Sequence, residues 1–187
     1  MSTADITHNP LNYDTRSIRL HWVTAALVTV LWCLGQTVDW FPKGNIRIAA
    51  RSTHIALGVV LALVLGYRLW WRTGAGRRLP PAGSGIEAAI ARVVHVALYA
   101  ALFGTVALGL ANTWVRGDNL FNLFRVPAFD PDNKALRRQV GDLHAWFANF
   151  LFCLAAFHAA AGLAHHFIRK DDVLHRMLPR RRNPRAT

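Results

Sequence analysis

The chain has 187 residues, of which 53% are hydrophobic and only 17% are charged, and its mean hydropathy is +0.21. Soluble domains carry roughly 25% charged residues, so the composition favours a single membrane domain spanning residues 1–187 over a soluble protein. The net charge of +12 does not by itself indicate nucleic-acid binding, because membrane proteins retain basic loops on the cytoplasmic side. We therefore expect no nucleic-acid partner.

Four apolar stretches predict the fold. They cover residues 18–40, 48–71, 86–114 and 140–167. Each reaches the ~20 residues that an α-helix needs to cross a bilayer, and only a helix satisfies its own backbone there. The sequence therefore predicts an all-α, four-helix transmembrane bundle. Because residues 1–17 are polar, we expect the first helix to be retained and not cleaved as a signal peptide. Trp32 is predicted to pack inside the bundle, whereas the other tryptophans lie near predicted helix ends, as interfacial indoles do.

The charge of the loops predicts the orientation. One set of loops comprises residues 1–20, 68–92 and 167–187; the other comprises residues 39–56 and 113–143. The first set holds 14 Lys and Arg, and the second holds eight. The richer side is expected to be cytoplasmic, which places both termini inside. The longest outer connection has room for a short surface helix near residues 119–124.

Histidines inside the predicted spans are the main functional signal, because ionisable residues at membrane depth are costly and mark function by default. There are five of them: His21, His54, His95, His144 and His158. His54 and His144 are level near the outer side, and His21 and His158 are level toward the inner side. His95 reaches the same depth as His158, so depth alone does not separate it from His21.

The spacing within the fourth helix is the sharpest pattern. His144 and His158 are 14 residues apart, which separates them by about 21 Å along the axis and returns them to within roughly 40° of one face. Two stacked haems, each held by two helices, need this arrangement, and bis-imidazole ligation suits electron transfer. One alternative is that the histidines only form hydrogen bonds between helices. Another is a non-redox metal transporter, although its path is expected to carry carboxylates.

Several motifs are similar to those of the bacterial cytochrome b561 family of small di-haem proteins. They are Arg19-Leu20-His21-Trp22, His54, His95-Val-Ala-Leu-Tyr99, the His-x13-His pair His144 and His158, and the ending His165-His166-Phe-Ile-Arg-Lys170-Asp171 followed by Arg176-Met177-Leu-Pro179-Arg180. The likeness covers nearly the whole chain, and the ending resembles the superoxide:ubiquinone oxidoreductase branch.

The resemblance implies a specific ligand set and function. Two b haems would be bound, with the inner iron held by His21 and His158 and the outer iron by His54 and His144. Electrons would pass from periplasmic superoxide to ubiquinone in the bacterial inner membrane. Membrane lipid, superoxide and ubiquinone are then the partners, and no obligatory protein partner is expected. The alternative is a cytochrome b anchor and electron conduit for a separate dehydrogenase or hydrogenase.

The quinone is expected beside the inner haem. His165 is seven residues past His158 and so returns to nearly the same face of the helix. Its imidazole would hydrogen-bond a quinone carbonyl. The resemblance leaves His95 without an iron, near a haem propionate or the quinone, and Arg19 is a further candidate at similar depth.

Three arginines on the outer side are predicted to steer superoxide, because a cationic surface raises the encounter rate of an anion. Arg51 lies one turn before His54, and Arg137 and Arg138 lie about two turns before His144. The alternative is that these side chains bind haem propionates or lipid phosphate.

Overall fold

The computed structural model describes residues 12–80 and 83–178. Its four long helices are α1 (Thr15–Thr37), α2 (Asn45–Thr73), α3 (Gly85–Arg116) and α4 (Lys134–Ala164). All four are long and apolar enough to span a membrane, which confirms the prediction of four spanning helices. Residues 1–11, 81–82 and 179–187, which carry part of the basic charge used to predict the orientation, lie outside the described residues.

Helix α1 begins three residues before the predicted start because Asp14 caps it. The Asp14 carboxylate accepts hydrogen bonds from the backbone N–H of Ser17 (2.9 Å) and from its hydroxyl (2.7 Å). It also accepts from the indole of Trp71 (3.0 Å) and from the backbone N–H of Arg77 (3.1 Å). Burial acts to raise the pKa of Asp14, but these hydrogen bonds outweigh it and the pKa lies below its usual value. The cap therefore also ties α1 to the end of α2 and the following loop.

Helix α3 ends at Arg116 and is capped by Gly117, whose φ of 63° is left-handed. A Cβ atom at this position would lie 2.9 Å from the Cβ of Ala128. The site therefore needs glycine both for its backbone angle and for the close approach of the following loop.

The predicted short helix near residues 119–124 is wrong. The segment forms an antiparallel hairpin of β1 (Asn119–Leu120) and β2 (Phe124–Arg125). The chain reverses because Phe121 and Asn122 both adopt left-handed angles, with φ of 52° and 59°. The fully buried Ser52 of α2 holds the turn by accepting the backbone N–H of Phe121 at 2.8 Å.

Helix α4 begins at Lys134, where Asn133 caps it by accepting the backbone N–H of Leu136 at 2.9 Å. This start is six residues before the predicted one at residue 140. Arg137 and Arg138 therefore lie in the first two turns of the helix and not in the preceding loop.

Neighbouring helices in sequence pack side by side, and α4 also contacts α1, which closes the bundle. The buried core is small and lies at mid-height: Leu31, Leu61, Leu65, Ala101, Leu102 and Leu151. Only 6 to 22% of the residues in the apolar windows of the helices are buried, and many large apolar side chains are exposed, as lipid contact requires. Trp32 stacks on Phe152 with ring centroids 3.9 Å apart, which agrees with its predicted packing between helices.

The two ends of the bundle differ. We call the end that holds the β-hairpin the hairpin end, and the end that holds the start of α1 and the end of α4 the terminal end. At the terminal end, α4 continues as a short π-helix, His165–Arg169, which stops at the left-handed Lys170 (φ 55°). The following residues fold back over α1, where the carbonyl of Met177 accepts the indole N–H of Trp22 at 2.8 Å.

Candidate functional site

At the hairpin end, the structure brings His54 of α2 and His144 of α4 together. Their ring centroids are 6.2 Å apart and their planes are perpendicular. His144 is held by its Nδ1 atom, which lies 3.1 Å from the carbonyl of Thr105. A Cβ atom at Gly109 would lie 3.0 Å from the His144 ring, and one at Gly35 would lie 3.4 Å from the His54 ring. Both rings therefore pack against glycines, where a larger side chain would crowd them. The hydrogen bond of His144 uses Nδ1, so its Nε2 atom can bind a metal.

At the terminal end, His21 of α1 faces His158 of α4 with ring centroids 6.3 Å apart at 78°. His95 of α3 also approaches His158, with a shorter centroid distance of 5.3 Å. The Nδ1 atom of His21 lies 3.3 Å from a guanidinium nitrogen of Arg68, on α2. Among the described residues, three histidines and one arginine thus meet at the terminal end, whereas two histidines meet at the hairpin end.

The apolar core separates the two histidine pairs. Leu151 lies seven residues after His144 and seven before His158 on α4, and it packs with the other five core residues. The bundle therefore has two polar levels with an apolar layer between them.

Comparisons with known proteins identify the family. A family model described as prokaryotic cytochrome b561 matches residues 12–180. Cytochrome b561 homolog 1 of Escherichia coli K12 is 30% identical over 173 residues, which cover 91% of this chain and 98% of that protein. Cytochrome b561 homolog 2 of the same organism is 32% identical over 182 residues, with 92% and 94% covered. The chain belongs to the prokaryotic cytochrome b561 family.

A third relative of this cytochrome b561 is named a probable superoxide oxidase, CybB, of Yersinia pestis. It is 25% identical over 177 residues, which cover 91% of this chain and 97% of that protein. Membership of the family makes the chain a multi-pass membrane protein that transfers electrons with b-type haem. The predictions of four spanning helices and of b-type haem are confirmed, whereas the number of haems and the orientation in the membrane stay predictions.

The spacing of both histidine pairs fits a b-type haem. Metal–imidazole bonds are about 2 Å long, and an imidazole ring adds roughly 1 Å on each side, so the centroids of two axial ligands lie about 6 Å apart. The observed distances of 6.2 and 6.3 Å agree with this value. His54 with His144 and His21 with His158 would each hold a haem, which would supply one-electron transfer chemistry.

His95 fits an axial position less well, since its 5.3 Å distance to His158 is shorter than a shared iron requires. Its role near a propionate or a quinone stays a prediction. Within residues 12–80 and 83–178, no three His, Cys, Asp or Glu side chains form a cluster with the geometry of a metal site. The described part of the chain thus gives no support to the metal-transporter alternative.

A cationic cleft of about 400 Å³ opens at the hairpin end. Its charged lining consists of Lys43, Arg47, Arg51 and Arg116 with Asp39 and Asp118. Four cations face two carboxylates, so the cleft has an excess of positive charge even though Arg51 lies 3.5 Å from Asp39 and 3.7 Å from Asp118.

Among the three predicted steering residues, Arg51 alone lines this cleft. The guanidinium of Arg137 donates a hydrogen bond to the carbonyl of Pro131, and Arg138 is exposed. Steering by Arg137 and Arg138 therefore stays a prediction that the cleft does not support directly.

The predicted quinone residues lie at the terminal end. His165 is half-buried, and its Nδ1 atom lies 2.6 Å from the carboxylate of Asp171. This hydrogen bond lowers the pKa of Asp171, so the carboxylate stays ionised and holds the imidazole. Arg19 is exposed on α1.

Sequence reasoning missed several groups that define the site. The hydrogen bond from His144 goes to a backbone carbonyl, that of Thr105, and a backbone group cannot be recognised from a pattern of side chains. Gly35 and Gly109 are two of many small residues in apolar runs, and the sequence does not distinguish them from the others. Arg68 carried a usable signal. It follows His54 by 14 residues, the spacing that relates His144 to His158, and it therefore occupies a similar face of α2 at the other level.

Proposed function

We propose that this cytochrome b561 is a superoxide:ubiquinone oxidoreductase with two b haems in the bacterial inner membrane. Two superoxide anions would each lose one electron and become O₂, while one ubiquinone would gain two electrons and two protons. The proposal is carried by two pairs of histidines, one at each level of the bundle. In both pairs the distance between the ring centroids fits two ligands of one iron. His54 and His144 would hold the hairpin-end haem, and His21 and His158 the terminal-end haem.

The cationic cleft supports capture of an anion at the hairpin end. A surface with excess positive charge above a low-dielectric site raises the on-rate of an anion. The named activity of the Yersinia pestis relative points to superoxide as that anion. With the terminal end in the cytoplasm, as the loop charges predict, the cleft would open to the periplasm.

The His165–Asp171 pair supports quinone reduction at the terminal end, because quinone reduction consumes protons. With its Nδ1–H held by Asp171, a protonated His165 would deliver a proton from Nε2 to a quinone oxygen. The short π-helix that begins at this residue is a feature that occurs often at functional sites.

The first experiment counts haem. Purified protein should contain two b haems per chain in a pyridine haemochrome assay, and replacement of any one of the four ligand histidines by Ala should remove one of them. His95→Ala is the matched control and should retain both. One haem in the wild type, or loss of haem from His95→Ala and not from His21→Ala, would refute the ligand assignment.

The second experiment tests the cleft. The rate of superoxide-driven haem reduction should fall as salt is raised, since screening acts over ~10 Å at 0.1 M ionic strength. Arg47→Gln should slow this step at low salt. Arg125→Gln removes the same charge from β2, outside the cleft, and should leave the rate nearly unchanged. Equal rates in the two variants and no dependence on salt would exclude steering by the cleft.

The third experiment tests the quinone site. His165→Ala should slow ubiquinone reduction while haem content and superoxide-driven haem reduction stay unchanged. His166→Ala is the control, since this neighbouring imidazole contacts His175 and not Asp171. If the two variants reduce ubiquinone at the same rate, His165 is not the proton donor.

The conduit alternative predicts a different result. A subunit that serves a separate dehydrogenase would co-purify with an iron–sulfur partner, and the isolated chain would not reduce ubiquinone when superoxide is supplied. Quinone reduction by the isolated chain would support the oxidoreductase.

A further inference from the structure

A half-buried arginine lies beside one of the proposed axial ligands. Arg68 projects from α2, and its Nη2 atom is 3.3 Å from Nδ1 of His21. Its guanidinium also lies over the ring of Tyr99, 5.2 Å from the centroid. No described carboxylate forms a salt bridge with it. A charge within a spanning helix is costly and normally has a function.

One histidine at each level differs from the other in its hydrogen-bond partner. At the hairpin end, the Thr105 carbonyl accepts from His144 at Nδ1, and such an acceptor makes a ligating imidazole a stronger electron donor. At the terminal end, Nδ1 of His21 faces a guanidinium, which has donors and no acceptor. His21 therefore has no acceptor there that would increase its electron donation to a metal bound at Nε2.

Charge acts in the same direction as the hydrogen bonds. Addition of an electron to a haem lowers its net charge by one unit, so a nearby cation favours the reduced form. A full charge at about the distance of one imidazole ring, in the effective dielectric of a protein, changes this equilibrium by roughly tenfold or more.

We propose that Arg68 is a positioning residue that raises the reduction potential of the terminal-end haem above that of the hairpin-end haem. Electrons that enter at the hairpin end then collect at the terminal end, next to the quinone. The proposal rests on the ligand assignment given above. Arg68 acts on the haem through His21 and through its charge.

The experiment is a potentiometric measurement on the purified di-haem protein, followed by visible absorbance. The component that is missing from His21→Ala identifies the terminal-end haem. Arg68→Met should lower the equilibrium constant for reduction of this haem at least tenfold, which is 59 mV for a one-electron couple. Arg68→Gln should lower it at least as much, because its amide oxygen offers His21 an acceptor. The hairpin-end potential should stay unchanged in both.

Two further variants separate tuning from a structural role. Arg68→Lys keeps the charge and should restore the wild-type value to within threefold. Arg72→Gln removes a charge one turn along the same helix, where the side chain is exposed, and should shift the equilibrium less than threefold.

The outcomes decide between the proposals. An unchanged or raised terminal-end potential in both neutral variants overturns the tuning role, and so does an equal shift of both haems. Loss of the terminal-end haem from both neutral variants also overturns it, because Arg68 would then be an anchor. Wild-type protein with a single haem would instead refute the ligand assignment itself, which the haem-to-chain ratio of the same sample reveals.

Discussion

The glycines under the histidine rings offer a graded test of the hairpin-end site. A Cβ atom would lie 3.0 Å from the His144 ring at Gly109 and 3.4 Å from the His54 ring at Gly35, and it would meet nothing within 4 Å at Gly66. Alanine therefore creates a clash at the first position, a tight but ordinary contact at the second and no contact at the third. All three positions are helical, so the same substitution serves as its own control.

The expected magnitude follows from the geometry. With Gly109→Ala, the His144 ring must move by a few tenths of an ångström, and its hydrogen bond to the Thr105 carbonyl, now 3.1 Å, resists this. Overpacking of this kind costs about 1–3 kcal/mol, which corresponds to roughly 5- to 150-fold weaker haem binding at the hairpin end. Gly35→Ala should cost less than about 1 kcal/mol. Gly66→Ala should be neutral or should stabilise the helix by up to about 1 kcal/mol.

The assay is the haem-to-chain ratio of protein produced at limiting haem, together with the reduced visible spectrum. Gly109→Ala should lose hairpin-end haem and keep terminal-end haem, Gly35→Ala should lose little, and Gly66→Ala should equal the wild type. A larger loss from Gly35→Ala than from Gly109→Ala, or full haem content in both, would mean that these glycines do not hold the ligand rings in place.

Three further changes probe the scaffold by thermal unfolding in detergent. Asp14→Ala should lower the free energy of unfolding by about 1–2 kcal/mol at neutral pH. Because the pKa of Asp14 in the folded protein lies below its usual 3.8, the carboxylate stabilises the fold fully above pH 3.8. The difference in stability between the variant and the wild type should therefore disappear as the pH falls below that value. A gap that is independent of pH would remove the carboxylate's charge from the explanation. The side-chain oxygen of Asn149 accepts hydrogen bonds from the side chains of Trp32 and Gln36 in α1, both at 2.9 Å. Asn149→Leu removes this acceptor and should lower the free energy of unfolding by about 0.5–1.5 kcal/mol. An unchanged unfolding midpoint would show that the contact adds nothing to stability. Ser52→Ala strands the N–H of Phe121 and should cost about 1–3 kcal/mol, whereas an equal midpoint would mean that the hairpin is held by other contacts.

Periodicity and depth were sufficient to predict the four helices, because each apolar run is long enough to admit only one membrane-compatible conformation. Depth also predicted that His54 lies level with His144 and that His21 lies level with His158, but it left His95 open as an alternative to His21, and the family resemblance supplied the pairing. Side chains that recur every 14 residues return to one face of a helix, and antiparallel neighbours bring such residues to the same level.

Tertiary contacts decided what the sequence left open. The segment around Phe121 reverses because Ser52, far away in the chain, accepts its N–H. The end of α4 widens into a π-helix where His165 pairs with Asp171 beyond the helix. The charge on Arg51 is offset by Asp39 and Asp118, which belong to two different connections. No local pattern contains these partners.

The apolar layer between the two histidine levels affects how the protein responds to a membrane potential. It consists of apolar side chains, which offer a proton no polar groups to move along, whereas electrons would cross it between the two proposed haems. Fourteen residues of helix separate the levels by about 21 Å, roughly two thirds of a 30 Å hydrocarbon core. With the terminal end in the cytoplasm, each electron that moves inward works against a membrane potential that is negative inside. A full crossing costs about 2.3 kcal/mol per 100 mV, and this step takes a corresponding share, so the turnover of the protein in sealed vesicles should respond to voltage.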